Sequence, residues 1–347
     1  MNKNKINILE NILFNNIEAG SFINKNDFGS AARILLEHQK KDWKQLASGY
    51  NSLDTVQTKI FQFDGYNIKV QFNPGRIISS SARVDEKSIR ERKCFLCFEN
   101  LPAEQKGILY AGEYLILCNP FPIFPEHFTL PEINHTPQII LGSFGKLLSL
   151  GKDLSKYYTV FYNGPKCGAS APDHLHFQAG NKFFMPIDSE FNSSKNKYGK
   201  ILFNENGHTV TGVDDGLRRF ISFEGKDYTM LVHLFNGFYE VYNSLNKSED
   251  EPMMNILSFY ENETGWRVII FLRDKHRPSH YFAAGEDNIL LSPAAVDIGG
   301  VCITPLEKDF KKITKEMITA IFQEVAVERE EFEFIKSGLM KKLNANM

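Results

Sequence analysis

An alternating His-x-His-x-Gln segment at residues 174–178 carries the side chains best suited to chemistry in this chain. Because an extended strand points residues i, i+2 and i+4 to one face, His174, His176 and Gln178 are predicted to share a surface. A neutral imidazole is a good nucleophile near pH 7, and a phosphoramidate formed on it is reactive enough to pass its group on. An amide can orient phosphate oxygens but can neither protonate a leaving group nor activate water. The segment therefore predicts group transfer at phosphorus in preference to hydrolysis.

Two upstream segments carry donors that suit such a phosphate. Residues 161–170 form a glycine-rich run in which Asn163, Lys166 and Ser170 supply an amide, a cation and a hydroxyl. The glycines would let backbone N–H groups approach phosphate oxygens closely. Arg76 ends a turn-like Asn-Pro-Gly-Arg sequence, and it is predicted either as a plain turn residue or as a phosphate clamp.

The cysteines predict reduced thiols and one candidate metal site. Five cysteines in a chain of 347 residues argue against a disulfide framework. Cys94 and Cys97 have the two-residue spacing that lets both sulfurs reach one tetrahedral metal ion. The same pair could instead be small core hydrophobes, and a lone Cys-x-x-Cys does not separate the two interpretations. The remaining cysteines are predicted to be buried packing residues: Cys118, Cys167 and Cys302.

Hydrophobic periodicity predicts the elements that must position these residues, in the order strand, strand, helix, strand and histidine strand. Residues 186–226 are rich in Asn, Ser, Gly and Lys, so they are predicted to be a linker or excursion. The predicted division comprises an N-terminal helical arm (1–57), a first unit with the active site (58–185), the linker or excursion (186–226), and a second unit with the C-terminal helices (227–347).

A faint internal echo suggests that the two units are related copies. Residues 128–137 run from a strand into a His-x-Pro turn, and residues 270–278 do the same. So short a match can also be accidental. The second copy lacks the His-x-His-x-Gln segment, so a duplication would leave one active centre per chain.

Charge and hydropathy exclude several classes of partner. The formal net charge is −2 and no long Lys/Arg run occurs, so nucleic acid is not an expected partner. The first thirty residues are too polar and interrupted for a signal peptide, and no apolar run reaches the roughly 18 residues of a membrane span. The chain is therefore predicted to be cytoplasmic, with no membrane partner. Its oligomeric state stays open, and a homodimer is one option.

The order and spacing of the motifs match those of a known protein family. The Cys-x-x-Cys pair, the turn at His135 and the Tyr-Asn-Gly sequence before residues 174–178 resemble the galactose-1-phosphate uridylyltransferase branch of the histidine-triad superfamily. Diadenosine-tetraphosphate phosphorylases and GDP-hexose phosphorylases are also similar, and their motif likewise ends in Gln. The resemblance covers roughly residues 70–182, with only a weak pattern beyond. It implies an α+β fold of two histidine-triad-like halves, with antiparallel sheets and covering helices, packed as an intramolecular pseudo-dimer.

The resemblance also implies catalytic and substrate-binding roles. His176 would attack the α-phosphorus of a nucleotide and become nucleotidylated, and Gln178 would hydrogen-bond the phosphate oxygens of that intermediate. Asn119 falls where the family contacts the nucleoside. Asn163 and Ser170 fall in the phosphate-approach segment, although Ser170 lies one residue farther from the first motif histidine than in the uridylyltransferases.

A structural zinc ion is the cofactor that the resemblance implies. Its ligands would be Cys94, Cys97, His135 and His174. His127 competes with His135 as the third ligand, and the position of His135 between strand and turn matches the family better. Asp173 replaces the usual proline of the family next to His174.

The predicted function is nucleotidyl transfer or phosphorolysis of a nucleotide sugar or dinucleotide, through a covalent intermediate on His176. The acceptor would be phosphate or a sugar phosphate. One alternative is a nucleotide-sugar or dinucleotide hydrolase. Another, from a different class, is a non-catalytic nucleotide-binding module that contains zinc. The nucleobase and the sugar are not predicted, because backbone groups anywhere around a pocket can recognise them.

Overall fold

The computed structural model describes residues 3–14, 27–77, 84–246 and 250–345. Within these ranges the chain forms twelve α-helices and thirteen strands. The helices are α1 (Lys3–Ile12), α2 (Phe28–Asp42), α3 (Lys44–Asn51), α4 (Glu86–Glu91), α5 (Phe144–Asp153), α6 (Pro186–Tyr198), α7 (Tyr228–Asn243), α8 (Ser279–Phe282), α9 (Ala295–Ile298), α10 (Glu307–Lys312), α11 (Lys315–Val325) and α12 (Arg329–Ala345). The strands are β1 (Gln57–Gln62), β2 (Asn67–Phe72), β3 (Gly107–Tyr110), β4 (Tyr114–Cys118), β5 (His127–Pro131), β6 (Tyr158–Asn163), β7 (His176–Asn181), β8 (Gly199–Glu205), β9 (His208–Asp214), β10 (Arg219–Gly225), β11 (Met254–Glu261), β12 (Gly265–Leu272) and β13 (Val301–Thr304).

Capping side chains help to define where the longer helices begin. Asp27 accepts a hydrogen bond from the backbone N–H of Ser30 at 2.9 Å before α2. Asp227 accepts one from the backbone N–H of Met230 at 2.8 Å before α7. No helix in the four described ranges is both long enough and apolar enough to cross a membrane.

Ten strands form one large antiparallel sheet in the order β3-β4-β5-β7-β6-β11-β12-β10-β9-β8. Strands β3–β7 make the first half of this sheet and β8–β12 the second. In each half, three consecutive strands are followed by one helix, α5 or α7, and then by two strands that exchange places. The halves join where β6 pairs with β11, with Asn163 opposite Asn255. The predicted α+β fold of two similar halves, packed as an intramolecular pseudo-dimer, is confirmed.

The short echo in the sequence does not follow this structural repeat. Residues 128–137 begin on β5, the third strand of the first half, whereas residues 270–278 begin on β12, the fifth strand of the second half. In the first half the strand equivalent to β12 is the histidine strand β7. The duplication is therefore visible in the topology, while the short sequence match that suggested it is accidental.

Residues 186–226, which the composition predicts to be a linker or excursion, form one helix and three strands in the structure. Helix α6 is followed by β8, β9 and β10, the outer three strands of the second half. The polar composition is misleading because α6 and the edge strand β8 keep most of their side chains at the surface, whereas β9 and β10 are mostly buried. The edge strand β8 buries only Leu202 and Phe203 of its seven residues.

Two apolar cores lie on opposite faces of the large sheet. Helices α2, α3, α5, α7 and α12 pack on one face, in a core that includes Phe177 and Phe235. On the other face, a three-stranded sheet in the order β1-β2-β13 contributes to a second core, which includes Phe220 and Phe271. The sequence division assigns β1 and β2 to the first unit, but their third partner β13 comes from the far end of the chain.

Candidate active site and metal centre

His176 is the first residue of β7 and lines a cleft. The alternation of the strand turns Phe177 and Ala179 into the helix-covered core and leaves His176 and Gln178 on the opposite face. His176 donates from Nδ1 to the backbone oxygen of His174 at 2.8 Å, so a neutral ring carries its lone pair on Nε2. Burial lowers the pKa of His176 to about 4, which keeps the ring neutral at pH 7.

His174 does not share this face, although the alternation predicts that it would. Regular strand begins only at His176, so the two-residue period does not extend back to His174. The Nδ1 atom of His174 lies 3.3 Å from Cys94 Sγ, and its Nε2 donates to the backbone oxygen of Glu132 at 2.7 Å. His174, the first histidine of the motif, is therefore directed at Cys94 and not into the cleft.

Gln138, which sequence reasoning missed, pins the start of the histidine strand. The partner of His176 in β5 is Pro131, which has no N–H, and pairing with β6 begins only at Gln178. Gln138 Oε1 accepts from the backbone N–H of His176 at 2.8 Å, and Gln138 Nε2 donates to the backbone oxygen of His176 at 3.0 Å. The same Nε2 reaches the backbone oxygen of Asn163 at 2.9 Å. One side chain thus substitutes for a neighbouring strand beside the candidate nucleophile.

His127 orients the amide of Gln178. The Nδ1 atom of His127 accepts a hydrogen bond from the backbone N–H of Ile123 at 3.2 Å, so its ring proton lies on Nε2. That proton points to Gln178 Oε1 at 3.0 Å, which leaves the NH₂ group of Gln178 as a donor. Burial, followed by the charge of Arg76, lowers the pKa of His127 to about 3, so the direction of this bond is constant at physiological pH. His127 therefore orients the Gln178 amide and is not directed at Cys94 or Cys97.

The cleft has a volume of about 410 Å³. Six residues predicted from sequence line it: Arg76, Asn119, Asn163, Ser170, His176 and Gln178. Apolar side chains form other parts of its wall, among them Trp43, Leu96, Leu101 and Leu117. Phe95, between the two motif cysteines, also lines the cleft and is 46% exposed. A cleft with apolar walls and a few directed polar groups is typical of a small-molecule site.

Arg76 and Asn163 present donors in this cleft. Arg76 donates from Nη1 to the backbone oxygen of Phe121 at 2.5 Å, and its buried Nε has no hydrogen-bond partner among the described residues. Burial lowers the pKa of Arg76 to about 10, so the guanidinium stays charged at neutral pH. Asn163 Oδ1 accepts from Asn255 Nδ2 and from the backbone N–H of Ala295, both at 2.8 Å. Because both bonds use the oxygen of the Asn163 amide, its NH₂ group is the part that can donate to a ligand.

Two predicted substrate-binding residues are already engaged elsewhere. Lys166 is absent from the lining of the cleft, and its ammonium pairs with Asp250 at 2.5 Å on the exposed surface. Asn119 lines the cleft, but its Oδ1 accepts from the backbone N–H of Phe121 at 2.9 Å and its Nδ2 donates to Thr129 at 3.2 Å. The amide of Asn119 therefore stabilises the proline-rich loop.

The four predicted metal ligands come together. The candidate ligand atoms lie within 4.8 Å of one another and belong to Cys94, Cys97, His135 and His174. Cys97 Sγ is 3.1 Å from His135 Nδ1, and it is 3.6 Å from His174 Nδ1. The structure thus selects His135 over His127, the alternative that the sequence leaves open. This cluster could hold a metal ion.

The charges in the cluster fit a metal ion. His174 donates from Nε2 to a backbone oxygen, so its Nδ1 keeps a lone pair directed at the sulfurs. Asp173 Oδ2 lies 3.7 Å from His135 Nε2, which places a carboxylate behind a second imidazole. Burial, followed by the charge of neighbouring Cys94, raises the pKa of Cys97 to about 12. A cation between the sulfurs would offset this repulsion and favour two thiolates.

Further cleft residues come from the second half and carry no motif. His276 and Arg277 lie just after β12 and line the same cleft as His176. The His-x-Pro turn of the sequence echo was the sole signal near them, and it pointed to a repeat and not to a site. Sequence reasoning missed both residues because their place in the cleft depends on how the halves pack.

Comparisons with known proteins agree with this architecture. Residues 35–181 match a family described as a domain of unknown function, DUF4922, and residues 193–346 match the GDPGP1-like C-terminal domain. A crystal structure of yeast Ap4A phosphorylase Apa2 is 17% identical, with a TM-score of 0.53 over 82% of this chain and 93% of that chain. The complex of the yeast enzyme with AMP is 15% identical, with a TM-score of 0.52 over 83% and 96% of the two chains.

At this identity the likeness to solved structures concerns the fold alone, and a comparison with curated proteins gives no match. The shared fold, the GDPGP1-like C-terminal domain and the ordered motifs point to one group. The match of residues 193–346 and the shared fold support the resemblance of this chain to the histidine-triad superfamily, in the branch of the galactose-1-phosphate uridylyltransferases, the diadenosine-tetraphosphate phosphorylases and the GDP-hexose phosphorylases.

Proposed function

We propose that this chain is a nucleotidyltransferase or phosphorylase that acts on a nucleotide sugar or dinucleotide through a covalent nucleotidyl-His176 intermediate. The observation that carries the proposal is the bond from His176 Nδ1 to the backbone oxygen of His174, which leaves the Nε2 lone pair as the nucleophile. The likeness to a phosphorylase of Ap4A, whose complex with AMP is also similar, supports a nucleotide as substrate.

The nucleotidyl transfer proceeds in two steps. His176 Nε2 attacks the α-phosphorus, a P–N bond forms, and the P–O bond to the leaving group breaks, with its electron pair departing on the leaving oxygen. An acceptor oxygen then attacks the same phosphorus, the P–N bond breaks, and the electron pair returns to Nε2. During both steps Nδ1 stays bound to the His174 carbonyl oxygen, which also stabilises the charge that develops on the ring.

Gln178 favours transfer over hydrolysis. Its NH₂ group, oriented by His127, would donate to a phosphate oxygen of the intermediate. Because an amide has no acidic or basic group near neutral pH, it does not activate water. A phosphate or sugar phosphate, which arrives as an anion with a nucleophilic oxygen, needs no such activation.

A structural zinc ion is part of the proposal. Cys94, Cys97, His135 and His174 would hold it, since two sulfurs and two imidazole nitrogens are a donor set that zinc prefers. The ion would supply a fixed tetrahedral link between the segment before β3 and the segment before β7. By fixing His174, this link sets the position of the backbone oxygen that binds His176 Nδ1. A cytoplasmic location and a homodimer remain predictions of this proposal.

The test is a covalent label. The protein is incubated with a panel of nucleoside diphosphate sugars and dinucleoside polyphosphates labelled at the α-phosphate, and peptides are mapped by mass spectrometry. We expect an acid-labile nucleotide on His176, and its absence from a His176→Ala variant. His233→Ala, which removes an exposed histidine on α7, is the matched control.

Product analysis separates the three candidate functions. Discharge of the label by phosphate or sugar phosphate, with little discharge in buffer alone, is expected of a transferase or phosphorylase. Equal discharge in buffer would assign a hydrolase. Tight nucleotide binding without any label across the whole panel would assign the non-catalytic module and refute the proposal.

A further inference from the structure

A buried carboxyl group from the second half contacts the first half close to the histidine strand. Glu251, which precedes β11, is only 8% exposed. Its Oε2 accepts from the backbone N–H of Ile140 at 2.5 Å, and its Oε1 accepts from the hydroxyl of Tyr162 on β6 at 2.6 Å. These three residues are not among those that line the cleft. Glu251 therefore does not reach a substrate there, and it can act on His176 through the residues that it contacts.

The Tyr162 hydroxyl has two acceptors within reach. It lies 2.6 Å from Glu251 Oε1 and 3.2 Å from the backbone oxygen of buried Gln138. A hydroxyl carries one proton, so it can donate fully to one of these oxygens at a time. No other donor to the Gln138 backbone oxygen occurs in the described part of the chain. The direction of the Tyr162 proton therefore decides whether this buried carbonyl has a partner.

The protonation state of Glu251 selects the acceptor. An ionised carboxylate only accepts hydrogen bonds, so Tyr162 must donate to it, and the Gln138 backbone oxygen is left without a donor. A protonated carboxyl can instead donate from Oε1 to the Tyr162 oxygen. The Tyr162 hydroxyl then donates to Gln138, and all three groups have partners. Protonation of Glu251 thus adds a hydrogen bond to the Gln138 backbone.

Gln138 transmits this difference to the candidate nucleophile. Its side chain bonds both the backbone N–H and the backbone oxygen of His176. Its own backbone is held by the bond from its N–H to the Pro172 oxygen at 3.2 Å and by the Tyr162 hydroxyl. Losing the second of these bonds loosens the residue that fixes the start of β7. The position of His176 is then less exactly defined, and a displaced nucleophile reacts more slowly.

Both states of Glu251 are populated near neutral pH. Burial raises the pKa of this carboxyl to about 7. Burial lowers the pKa of His176 to about 4, so the nucleophile itself does not titrate in the same range.

The ionisable groups that face Glu251 do not compete with it for a proton near pH 7. Burial raises the pKa of Tyr162 well above its usual value, and it raises the pKa of Tyr239 on α7 and of Cys167 to about 12. Asp250, the neighbour of Glu251 in the chain, pairs with Lys166 at 2.5 Å on the exposed surface.

We propose that Glu251, acting through Tyr162 and Gln138, is a proton-dependent positioning residue for His176, which holds the nucleophile in place when protonated and loosens it when ionised. The inference rests on the proposed function and adds a control of that function by the second half. One proton moves from solvent to Glu251 Oε1 as the pH falls, and the Tyr162 hydroxyl turns from the carboxyl to the Gln138 oxygen. No proton of the transfer reaction itself passes through Glu251.

The kinetic test is the pH profile of nucleotidylation. The full chain is mixed with the substrate identified by labelling, and the rate at which His176 becomes labelled is measured from about pH 6 to about pH 8.5. We expect the wild-type rate to fall by about fivefold to tenfold as the pH rises through 7, because a buried carbonyl loses its partner. Glu251→Gln, whose amide donates to the Tyr162 oxygen at every pH, should keep the low-pH rate throughout. Glu240→Gln, at an exposed carboxylate of α7, is the matched control and should follow wild type.

A second variant removes the connecting hydroxyl. Tyr162→Phe leaves the Gln138 oxygen without a donor at every pH, so its rate should stay near the high-pH rate of wild type. Nucleotide affinity should change by less than about twofold in both variants, because neither residue lines the cleft.

A third readout needs no catalysis. The NMR signal of the His176 backbone N–H, recorded without substrate, should shift with a midpoint near pH 7 in wild type and should not shift in Glu251→Gln. A signal that titrates in protein that forms no label would refute the proposed function alone. A wild-type labelling rate that is independent of pH, or an unchanged pH profile in Glu251→Gln, would overturn the role of Glu251.

Discussion

The two halves of the large sheet share one topology, but the face opposite the main helices differs between them. In the second half, β10 and β12 turn Phe220 and Phe271 to this face, where a second apolar core buries them. In the first half, the equivalent strand β7 turns His176 and Gln178 to the same side, and a cleft opens there. The comparison teaches that one copy carries the candidate catalytic residues, while the other copy keeps its face covered and supplies a wall of the cleft.

The halves also differ in how their fifth strands are paired. In the second half, β12 pairs with β11 along its whole length and with β10 from Gly225 to Phe220. In the first half, β7 lacks a β6 partner at His176 and meets Pro131 on the other side. The start of strand β7 therefore depends on a side chain, Gln138, for hydrogen bonds that the other copy obtains from its backbone.

Removing the nucleophile tests whether the second half has any reactive centre of its own. We expect His176→Ala to lower turnover on the order of 10⁴-fold, as for other covalent catalysts that lose their nucleophile. Steady-state kinetics on the substrate identified by labelling provide the measurement. Residual turnover within tenfold of wild type would mean that the comparison is wrong and that another residue reacts.

Removing the metal tests a second asymmetry, because in the described part of the chain the one cluster with metal-binding geometry lies in the first half. We expect purified protein to contain about one zinc ion per chain. Cys94→Ser, or treatment with a chelator, should lower the melting temperature by roughly 5–10 °C, since the folded state loses a tightly bound ligand. Metal analysis and thermal unfolding give the two readouts. Metal-free protein with unchanged melting temperature would contradict the zinc assignment.

Glu251, from the second half, forms hydrogen bonds to the first half, and its pKa makes this contact depend on pH. It accepts hydrogen bonds from Tyr162 at 2.6 Å and from the backbone N–H of Ile140 at 2.5 Å, near the segment that carries Gln138. Burial raises the pKa of Glu251 from 4.5 to about 7 in the folded protein. The protonated form is thus favoured by folding, so its stabilisation is full below about pH 4.5 and is lost as pH rises through 7.

A neutral replacement should remove this pH dependence. Glu251→Gln should gain stability relative to wild type between pH 5 and pH 8, by about 3 kcal/mol at most, since each pKa unit corresponds to about 1.4 kcal/mol. Urea unfolding at both pH values measures the difference. A constant gap between the two proteins across this range would show that Glu251 has an ordinary pKa.

Replacing Gln138, whose side chain takes the place of a neighbouring strand at His176, is expected to have the smallest effect of these changes. Gln138→Leu leaves the backbone N–H and C=O of His176 without these partners, so the ring loses its fixed position. We expect the rate of nucleotidylation to fall by about tenfold to 50-fold, with the affinity for nucleotide within about twofold of wild type. Gln138→Glu keeps the acceptor and should fall between the two. An equal loss of affinity and rate would indicate a merely structural role.

Local sequence patterns predicted much of the candidate site. Alternation correctly placed His176 and Gln178 on one face, because β7 runs without a break from His176. The Cys-x-x-Cys spacing placed two sulfurs within reach of one ion, because two intervening residues suffice for that turn. Alternation failed for His174, where the chain is not yet a strand. Composition failed for residues 186–226, because an exposed helix and an exposed edge strand, α6 and β8, resemble a linker in their polarity.

What the sequence by itself determined is therefore the set of candidate groups: a histidine and an amide two residues apart on a strand, and a pair of thiols with three candidate imidazoles, His127, His135 and His174. Tertiary structure alone decided that His135 and not His127 lies beside the thiols, that Gln138 bonds the backbone of His176, and that His276 and Arg277 reach the cleft. The physical reason is distance along the chain. Alternation and ligand spacing act within a few residues, whereas the hydrogen bond between Asn255 and Asn163 that joins the halves spans 92 positions.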